Sequence, residues 1–422
     1  MPALLLCAAG VILYLTLGTF VLLWLGVRYE ADGGIPFVKI HPGTYLILAA
    51  VLWGLLSTDH PLRTMGQLAR SRPGLWLYCG GMAVIFVYAL AIRGLSGVAF
   101  LVDAYVAPGL LALLLSQAPA KFLRFLATLM IALLTVNAAC GIIEARLHQH
   151  LFPYIIDGQQ INETYFRATA FNGHPLRNAM LTGIAMLAVT AAPWPMLVRV
   201  GLLSVLGMGL FAFGGRAALI VSALGCMLII GRELRQSAST DPRVFGRKVL
   251  VLTMTTLVVL VTVAFVFGLT GFGARIRAGE IADSSSAARL QVFEIFKLTD
   301  LEGLLGGYSA KSIDAMAKVS GLIAVENFWV YQLLFLGLIG FVIWLPAFIS
   351  GLASVWHHAG FAGRVIVVCF LLIASSNNSL AKKDSSLSLA FAFAIAAAVP
   401  EWRAMRAGRT TAAHRAELAH AG

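Results

Sequence analysis

The sequence predicts an all-α polytopic membrane protein, with about twelve transmembrane helices and a long helical loop on one side of the membrane. Hydrophobic residues make up 59% of the 422 residues, charged residues make up 12%, and the mean hydropathy is +0.87. Soluble domains contain roughly 25% charged residues, so a water-soluble fold is excluded. The apolar residues also cluster into runs of roughly the 17–25 residues that a spanning helix needs. The whole chain, 1–422, is predicted to be a single integral membrane domain.

The apolar runs are separated by short polar turns, as expected of successive spans. They cover about 3–26, 43–59, 74–95, 98–118, 122–144, 176–192, 196–213, 215–231, 249–270, 327–350, 362–380 and 385–401. The first run has no basic stretch before it, so we expect it to remain as a helix instead of being removed as a signal peptide. The five cysteines fall inside the runs without CxxC spacing, which is typical of buried apolar residues and not of disulfides or metal sites.

The distribution of charge predicts the orientation. An even number of spans places both termini on the same side, and the side richer in Lys and Arg is cytoplasmic. Nearly all of the net charge of +12 lies in the turns on the side of the termini, including a basic cytoplasmic tail at 402–422. The basic composition therefore needs no nucleic-acid partner. Two large loops are predicted on the outer side, at 145–175 and 271–326, and no GxxxxGK[ST] motif for nucleotide binding is present.

The loop 271–326 is predicted to contain an amphipathic helix with Arg289 in its first turn. Ser284–Ser286 can cap a helix that begins near Ala287. Its apolar stripe would consist of Leu290, Phe293, Phe296 and Leu298. A bound anion there would satisfy both the guanidinium group and the unpaired backbone N–H groups. The alternative is an interfacial charge in contact with water.

Arg216 is the second candidate, because it separates two apolar runs in the sequence Gly214-Gly215-Arg216-Ala217. A charge near membrane depth is costly and usually faces a cavity or a partner. The two glycines would let a ligand approach the backbone closely. The alternative is an arginine whose side chain extends to the membrane interface.

Glu326 and Asn327 open the apolar run at 327–350. A carboxylate at this position can act as a general base if nearby arginines neutralise the surrounding charge. It can also simply stabilise the positive end of the helix dipole. The polar residues predicted to bind substrate on the outer side are Arg167, His174, Asn178, Asn327 and Asp384. A loop histidine is more often only a hydrogen-bonded surface residue.

Several arginines on one outer face predict a diphosphate ligand, because guanidinium groups bind phosphate oxygens in bidentate fashion. The chain has no HxxxH, no DxD and no acidic cluster, so neither a metal nor another cofactor is predicted. A diphosphate bound at a membrane suggests a polyprenyl-linked donor.

In the order and spacing of these residues, the sequence resembles the superfamily of O-antigen ligases and Wzy-type polymerases of bacterial envelopes. The stretch Arg167–Asn178 is similar to the family block R-x-x-G-x-F-x-x-P-N, and Gly215-Arg216-Ala217 to its small-Arg-small element. Arg289-Leu290 with the later glycines is similar to its R-L…G-x-G element. Glu326-Asn327 resembles the H-N-x-x-L element, with glutamate where the ligases usually have histidine.

The resemblance implies a metal-independent inverting glycosyltransferase of GT-C type at the periplasmic face of the bacterial inner membrane. Arg216 and Arg289 would hold the diphosphate of an undecaprenyl-diphosphate-linked glycan, and Glu326 would deprotonate the acceptor hydroxyl. The acceptor would be lipid A–core for a ligase, acting in lipopolysaccharide biosynthesis, or a lipid-linked glycan for a polymerase. A transporter of lipid-linked oligosaccharides, in contact with the same membrane lipids, is the alternative from another class.

Overall fold

The computed structural model describes residues 2–30, 35–156, 159–160, 166–238, 246, 249, 291–322, 324–377, 379–381 and 383–397. This part of the chain is helical apart from one antiparallel pair of two-residue strands, β1 (Ile155–Ile156) and β2 (Gln159–Gln160). The all-α prediction is therefore confirmed. Arg289, the predicted helix start near Ala287 and the tail at 402–422 lie outside the described residues, as does the run at 249–270 except for Val249.

Fifteen α-helices can be numbered along the described chain. They are α1 (Pro2–Thr16), α2 (Thr19–Trp24), α3 (Pro42–Leu56), α4 (Pro61–Ser71), α5 (Pro73–Leu101), α6 (Ala107–Leu115), α7 (Ala120–Leu147), α8 (Pro175–Ala191), α9 (Met196–Phe213), α10 (Arg216–Ala238), α11 (Leu301–Gly306), α12 (Ala310–Val319), α13 (Phe328–His358), α14 (Phe361–Ser375) and α15 (Ser386–Ala396). A π-helical turn, Val102–Val106, joins α5 to α6, and 3₁₀ turns occupy Pro36–Lys39, Val292–Leu298 and Ser379–Ala381.

Six segments of the described chain are long and apolar enough to cross a membrane. They are Pro73–Gly94, Val98–Leu115, Ala120–Leu147, Met196–Phe213, Arg216–Gln236 and Phe328–His358. A seventh span results if α3 and α4, which meet at an angle of 112°, are one broken span, while α1, α14 and α15 are shorter apolar helices. The class, a polytopic α-helical membrane protein, therefore follows from the structure, and the predicted number of twelve spans stays a prediction.

The predicted first span illustrates why apolar runs and full-length helices differ. The run 3–26 is divided into α1 and α2 by Gly18. Gly18 donates a backbone hydrogen bond of 2.9 Å to the carbonyl of Phe171, and a Cβ at this position would lie 2.3 Å from that oxygen. The interruption is therefore imposed by the loop that packs against the helix, which hydropathy does not reveal.

Two helices occupy the middle of the bundle. Almost every residue of α15 is buried, and so are most of those of α8. Helix α8 contacts α7, α9, α10, α14 and α15, whereas α15 contacts α6, α7, α8, α13 and α14. A helix that is apolar on all sides is expected in such a central position. The polar residues that flank the starts of both helices are consequently brought into the interior of the protein.

The large loops meet at one end of the bundle, which we call the loop end. It contains the beginnings of α3, α8, α10, α13 and α15 together with the ends of α1, α7, α9 and α14. The loops are joined there by contacts such as the Gly18–Phe171 hydrogen bond, the bond from Lys383 Nζ to the Tyr29 carbonyl, and the 2.9 Å bond from Trp329 Nε1 to Ser375 Oγ. The short turns lie at the opposite end, which we call the turn end.

The described part of the 271–326 loop is helical, whereas Leu290 of the predicted apolar stripe lies outside the described residues. Residues Val292–Leu298 form a 3₁₀ helix that buries Val292 and Ile295. Phe293 and Leu298 are instead 54% and 44% exposed. Phe296 is partly buried and packs against the core, so the three described members of the stripe do not share one environment, and the amphipathic helix stays a prediction. Two short α-helices, α11 and α12, then lead to the start of α13.

A kink in α13 holds this loop in place. Gly337 interrupts the helix with φ 66° and ψ 173°, and Gly307 (φ 87°) packs directly against it. The backbone N–H of Tyr308 donates a 2.7 Å hydrogen bond to the carbonyl of Leu334. Arg93 from α5 donates to the carbonyl of Tyr308 and stacks over the ring of Phe335 at 4.3 Å. Gly307 and Gly337 therefore allow the loop and α13 to touch, backbone to backbone.

Candidate functional site

A buried carboxylate anchors the loop that carries Arg167. Glu144, near the end of α7, is 1% exposed. Its Oε2 accepts hydrogen bonds from the backbone N–H groups of Thr169 (2.7 Å) and Ala170 (2.9 Å), and its Oε1 accepts one from Leu151 (2.7 Å). The side chain thus satisfies three backbone donors of a loop that has no regular secondary structure at this point. This fixes the path of the chain after Arg167.

Asn178, predicted to bind substrate, also holds this loop. Its Oδ1 accepts a 2.7 Å bond from Asn137 Nδ2, and its own Nδ2 donates to the carbonyl of Thr169 at 2.6 Å. Asn137 Oδ1 in turn accepts from the N–H of Phe171 at 3.0 Å. Asn178 is fully buried, so the described structure uses its amide group within the protein.

Asp384, another predicted substrate-binding residue, is 4% exposed and forms a buried ion pair with Arg177. Arg177 Nε lies 3.0 Å from Asp384 Oδ1, and its guanidinium also donates to Ser385 Oγ at 2.7 Å. Asp384 Oδ1 accepts from the N–H and the hydroxyl of Ser386 at 2.8 and 2.6 Å. Burial raises the pKa of Asp384, and the nearby charge of Arg177 opposes this shift. The pair ties the start of α8 to the start of α15.

Arg167 lies against the turn between α9 and α10, and Arg216 directly follows this turn. The N–H of Ala168 donates a 3.0 Å hydrogen bond to the carbonyl of Ala212, which sets the loop beside this turn. Gly214 has φ 70°, and a Cβ there would lie 3.6 Å from Cγ and Cδ of Arg167. The Arg167 side chain therefore passes directly over Gly214, two residues before Arg216. Arg216 is the first residue of α10 and is partly exposed.

The start of α8 lies next to the start of α10. A Cβ on Gly215 would be 2.2 Å from Cβ of Ala179, so only glycine permits this approach. His174 caps α8, because its Nδ1 accepts a 3.2 Å bond from the N–H of Leu176. Two helix amino termini, each the positive end of a dipole, are thus combined with two guanidinium groups. Positive helix ends and guanidinium groups both favour a nearby anion.

Glu326 and Asn327 lie at the start of α13. The side chain of Asn327 caps this helix, accepting from the N–H groups of Trp329 and Val330 at 3.0 and 3.3 Å. Glu326 directly precedes the cap and is half-buried. The described contacts of Asn327 therefore hold the start of α13 in place. Glu326 is the carboxylate at this helix start.

Helix α14 connects Glu326 to the arginine pair. Trp329, three residues after Glu326, bonds to Ser375 at the end of α14. Helix α10 packs along the same helix, where a Cβ on Gly225 would be 2.7 Å from Sγ of Cys369. Arg216 at the start of α10 and Glu326 just before α13 therefore belong to two helices that both contact α14. The proposed partner Arg289 lies outside the described residues, so Arg167 is the arginine that the structure places beside Arg216.

Several polar residues of this region were not singled out from the sequence. Asn137 lies within the apolar run 122–144, and Glu144 lies at its end. A polar side chain inside an apolar run is the sequence signal that could have identified them. In the described residues no group of three or more His, Cys, Asp or Glu side chains is arranged to hold a metal ion.

One cavity of the described structure lies apart from this cluster. It is a cleft of about 240 Å³ at the turn end, lined by residues that include Arg72 and His358.

Comparison with known proteins does not place the chain in a family. No protein-family model matches it, and no curated protein matches it at a significant level. The class established by the fold is a polytopic α-helical membrane protein with a basic cluster at one end of its bundle.

Proposed function

We propose that the protein is a metal-independent inverting glycosyltransferase that moves a glycan from undecaprenyl diphosphate to a sugar hydroxyl. The observation that supports this proposal is the position of the Arg167 side chain against Gly214, two residues before Arg216, where α8 and α10 begin, at the same end of the bundle as Glu326. Within this class we favour an O-antigen ligase acting on lipid A–core, with a Wzy-type polymerase as the alternative. The protein would have twelve spans, a GT-C-like fold and its loop end in the periplasm of a bacterial inner membrane.

The reaction would be a single displacement at the anomeric carbon. The acceptor oxygen forms the new bond on the face opposite the diphosphate, and the bond between the anomeric carbon and the diphosphate oxygen breaks, with its electron pair going to the diphosphate. Glu326 accepts the proton of the acceptor hydroxyl. Arg216, with Arg167 and the predicted contribution of Arg289, neutralises the charge that develops on the leaving group. Undecaprenyl diphosphate is released.

A transporter for lipid-linked oligosaccharides would also need a basic surface for the diphosphate. It would not need a carboxylate beside that surface, because no proton is removed from the cargo. The half-buried Glu326 at the start of α13 therefore favours the transferase. Cytoplasmic termini and the absence of a nucleotide-binding motif in the sequence agree with either function.

Replacing Arg216 with lysine is expected to lower the rate of glycan transfer by about 100-fold, because the charge is kept while the bidentate donor geometry is lost.

Replacing Glu326 with glutamine is expected to lower the rate of glycan transfer by a comparable factor without weakening donor binding, because the amide cannot accept the proton of the acceptor hydroxyl. Both rates are measured in proteoliposomes with a lipid-linked donor and a lipid A–core acceptor.

Arg146→Lys is the matched control, since Arg146 lies in the last turn of α7 at the loop end but outside the cluster. It should leave the rate unchanged. If the Arg216→Lys protein is fully active, Arg216 does not bind the diphosphate as proposed. If the Glu326→Gln protein is active, Glu326 is not the general base.

A further inference from the structure

We infer that the turn end of the bundle binds an anionic phospholipid, with its phosphate at Arg72 and part of an acyl chain in the cleft behind it. This site lies at the opposite end from the proposed transfer site and is independent of that function. It is formed by helix α4, by the Arg72 junction that follows it, and by the cleft between the ends of α6 and α13 and the start of α7.

Helix α4 has the properties of a helix that lies in a membrane interface. It contains no buried residue, and it bends away from α3 by 112°. Its apolar side chains share one side and its polar side chains the other, with Arg63, Gln67 and Arg70 together on the polar side. Leu62 on the apolar side is 84% exposed. Leu68 of the same side packs against the core, so protein covers only part of the apolar side. A basic amphipathic helix with a partly uncovered apolar side is expected to rest on anionic lipids.

Arg72 joins this helix to the cleft. It directly follows α4, donating its N–H to the Leu68 carbonyl at 2.9 Å, and its own carbonyl accepts the first hydrogen bond of α5 from Trp76 at 3.1 Å. The backbone at Arg72 is thus fixed on both sides, and its partly exposed side chain lines the cleft. The membrane-facing helix and the cleft are therefore connected by one cationic residue.

The cleft itself combines an apolar wall with polar groups. Its volume is about 240 Å³, and most of its lining is apolar, including Leu75, Leu123 and Ile395. His358 also lines it, and its Nδ1 lies 2.6 Å from the carbonyl of Ser354, which can only accept a hydrogen bond. The proton is therefore on Nδ1, and Nε2 remains as the second polar atom of the ring.

An anionic phospholipid matches both parts of this site. A guanidinium group binds phosphate oxygens in bidentate fashion, and the apolar lining accepts hydrocarbon. Neighbouring positive charges, such as the exposed Lys121 at the start of α7, add attraction, while Asp59 in the α3–α4 turn opposes it. Basic pockets between membrane helices are known to select anionic lipid headgroups over zwitterionic ones.

The test uses the purified full-length protein in nanodiscs made of phosphatidylcholine with increasing fractions of phosphatidylglycerol. The probe is phosphatidylglycerol, and its binding is measured by native mass spectrometry. Arg72→Gln is expected to weaken the binding about fivefold, the effect of one basic residue near an anionic headgroup. Arg235→Gln removes the same charge from the exposed end of α10, outside the cleft, and should leave binding unchanged.

A second variant separates the acyl chain from the headgroup. Ala118, in the turn between α6 and α7, lines the cleft. Ala118→Trp would fill the cleft while keeping every charge, and it is expected to lower phosphatidylglycerol binding by about the same factor. If Arg72→Gln and Arg235→Gln weaken phosphatidylglycerol binding equally, the binding depends only on general surface charge, and the proposed site is wrong. Unchanged binding by Ala118→Trp, or equal binding of phosphatidylcholine, would overturn it as well.

Discussion

Replacing Asp384 with alanine is expected to lower the free energy of unfolding by about 3–5 kcal/mol, the typical cost of leaving a buried charge without its partner. Arg177 would keep its bond to Ser385 Oγ but lose the carboxylate 3.0 Å from its Nε. Both side chains are under a tenth exposed, so water cannot replace the lost contact. The change is measured by unfolding the purified protein from mild detergent with sodium dodecyl sulfate.

The double variant Arg177→Met and Asp384→Leu provides the matched comparison. It removes both charges and is expected to be markedly more stable than Asp384→Ala, because an apolar pair needs no charge compensation. Glu294→Ala breaks the solvent-exposed ion pair with Lys297 and should cost at most about 0.5 kcal/mol. If Asp384→Ala is as stable as Glu294→Ala, the ion pair does not hold α8 to α15.

Replacing Gly337 with alanine is expected to cost about 3 kcal/mol or more, because two effects add. The backbone conformation of φ 66° and ψ 173° is essentially restricted to glycine. The new Cβ would also lie 2.3 Å from the carbonyl oxygen of Leu305, which is backbone and cannot rotate away. The loss is measured by the same unfolding titration, together with increased proteolysis of residues 301–308.

Gly54→Ala is the control for this prediction. Gly54 lies within α3, has helical backbone geometry, and nothing lies within 4 Å of a Cβ built on it. Alanine there should stabilise the helix by about 0.5–1 kcal/mol. A Gly337→Ala protein with unchanged stability would show that the α13 kink and its contact with Gly307 are not required.

Hydropathy was sufficient to predict where helices form, because every predicted run within the described residues contains one. It could not predict where they break. Gly18, Gly94 and Gly337 end or kink helices because another part of the chain approaches them or because their φ is positive, and neither property is encoded by polarity. Nor could hydropathy separate α15, which is enclosed by protein, from α5, whose apolar residues are largely on the surface. Lipid and protein interior favour the same side chains.

The candidate site was predicted only in part. The residues Arg167, His174 and Arg216 were recognised as a group of polar residues at the ends of apolar runs, and the structure brings them to the starts of α8 and α10. Asn178 and Asp384 were recognised for the same reason, yet their described contacts are structural. A single sequence does not show that Arg177 pairs with a residue some two hundred positions away, because no local pattern records that contact.

The central claim is that the loop end transfers a glycan from a lipid diphosphate. The most direct measurement mixes the wild-type protein in proteoliposomes with a radiolabelled undecaprenyl-diphosphate-linked glycan and with lipid A–core, and follows both products. We expect free undecaprenyl diphosphate to appear together with label on lipid A–core, at equal molar amounts. Label on a lengthening lipid-linked glycan would instead favour the polymerase. Movement of intact donor between leaflets, with no release of undecaprenyl diphosphate, would contradict the claim.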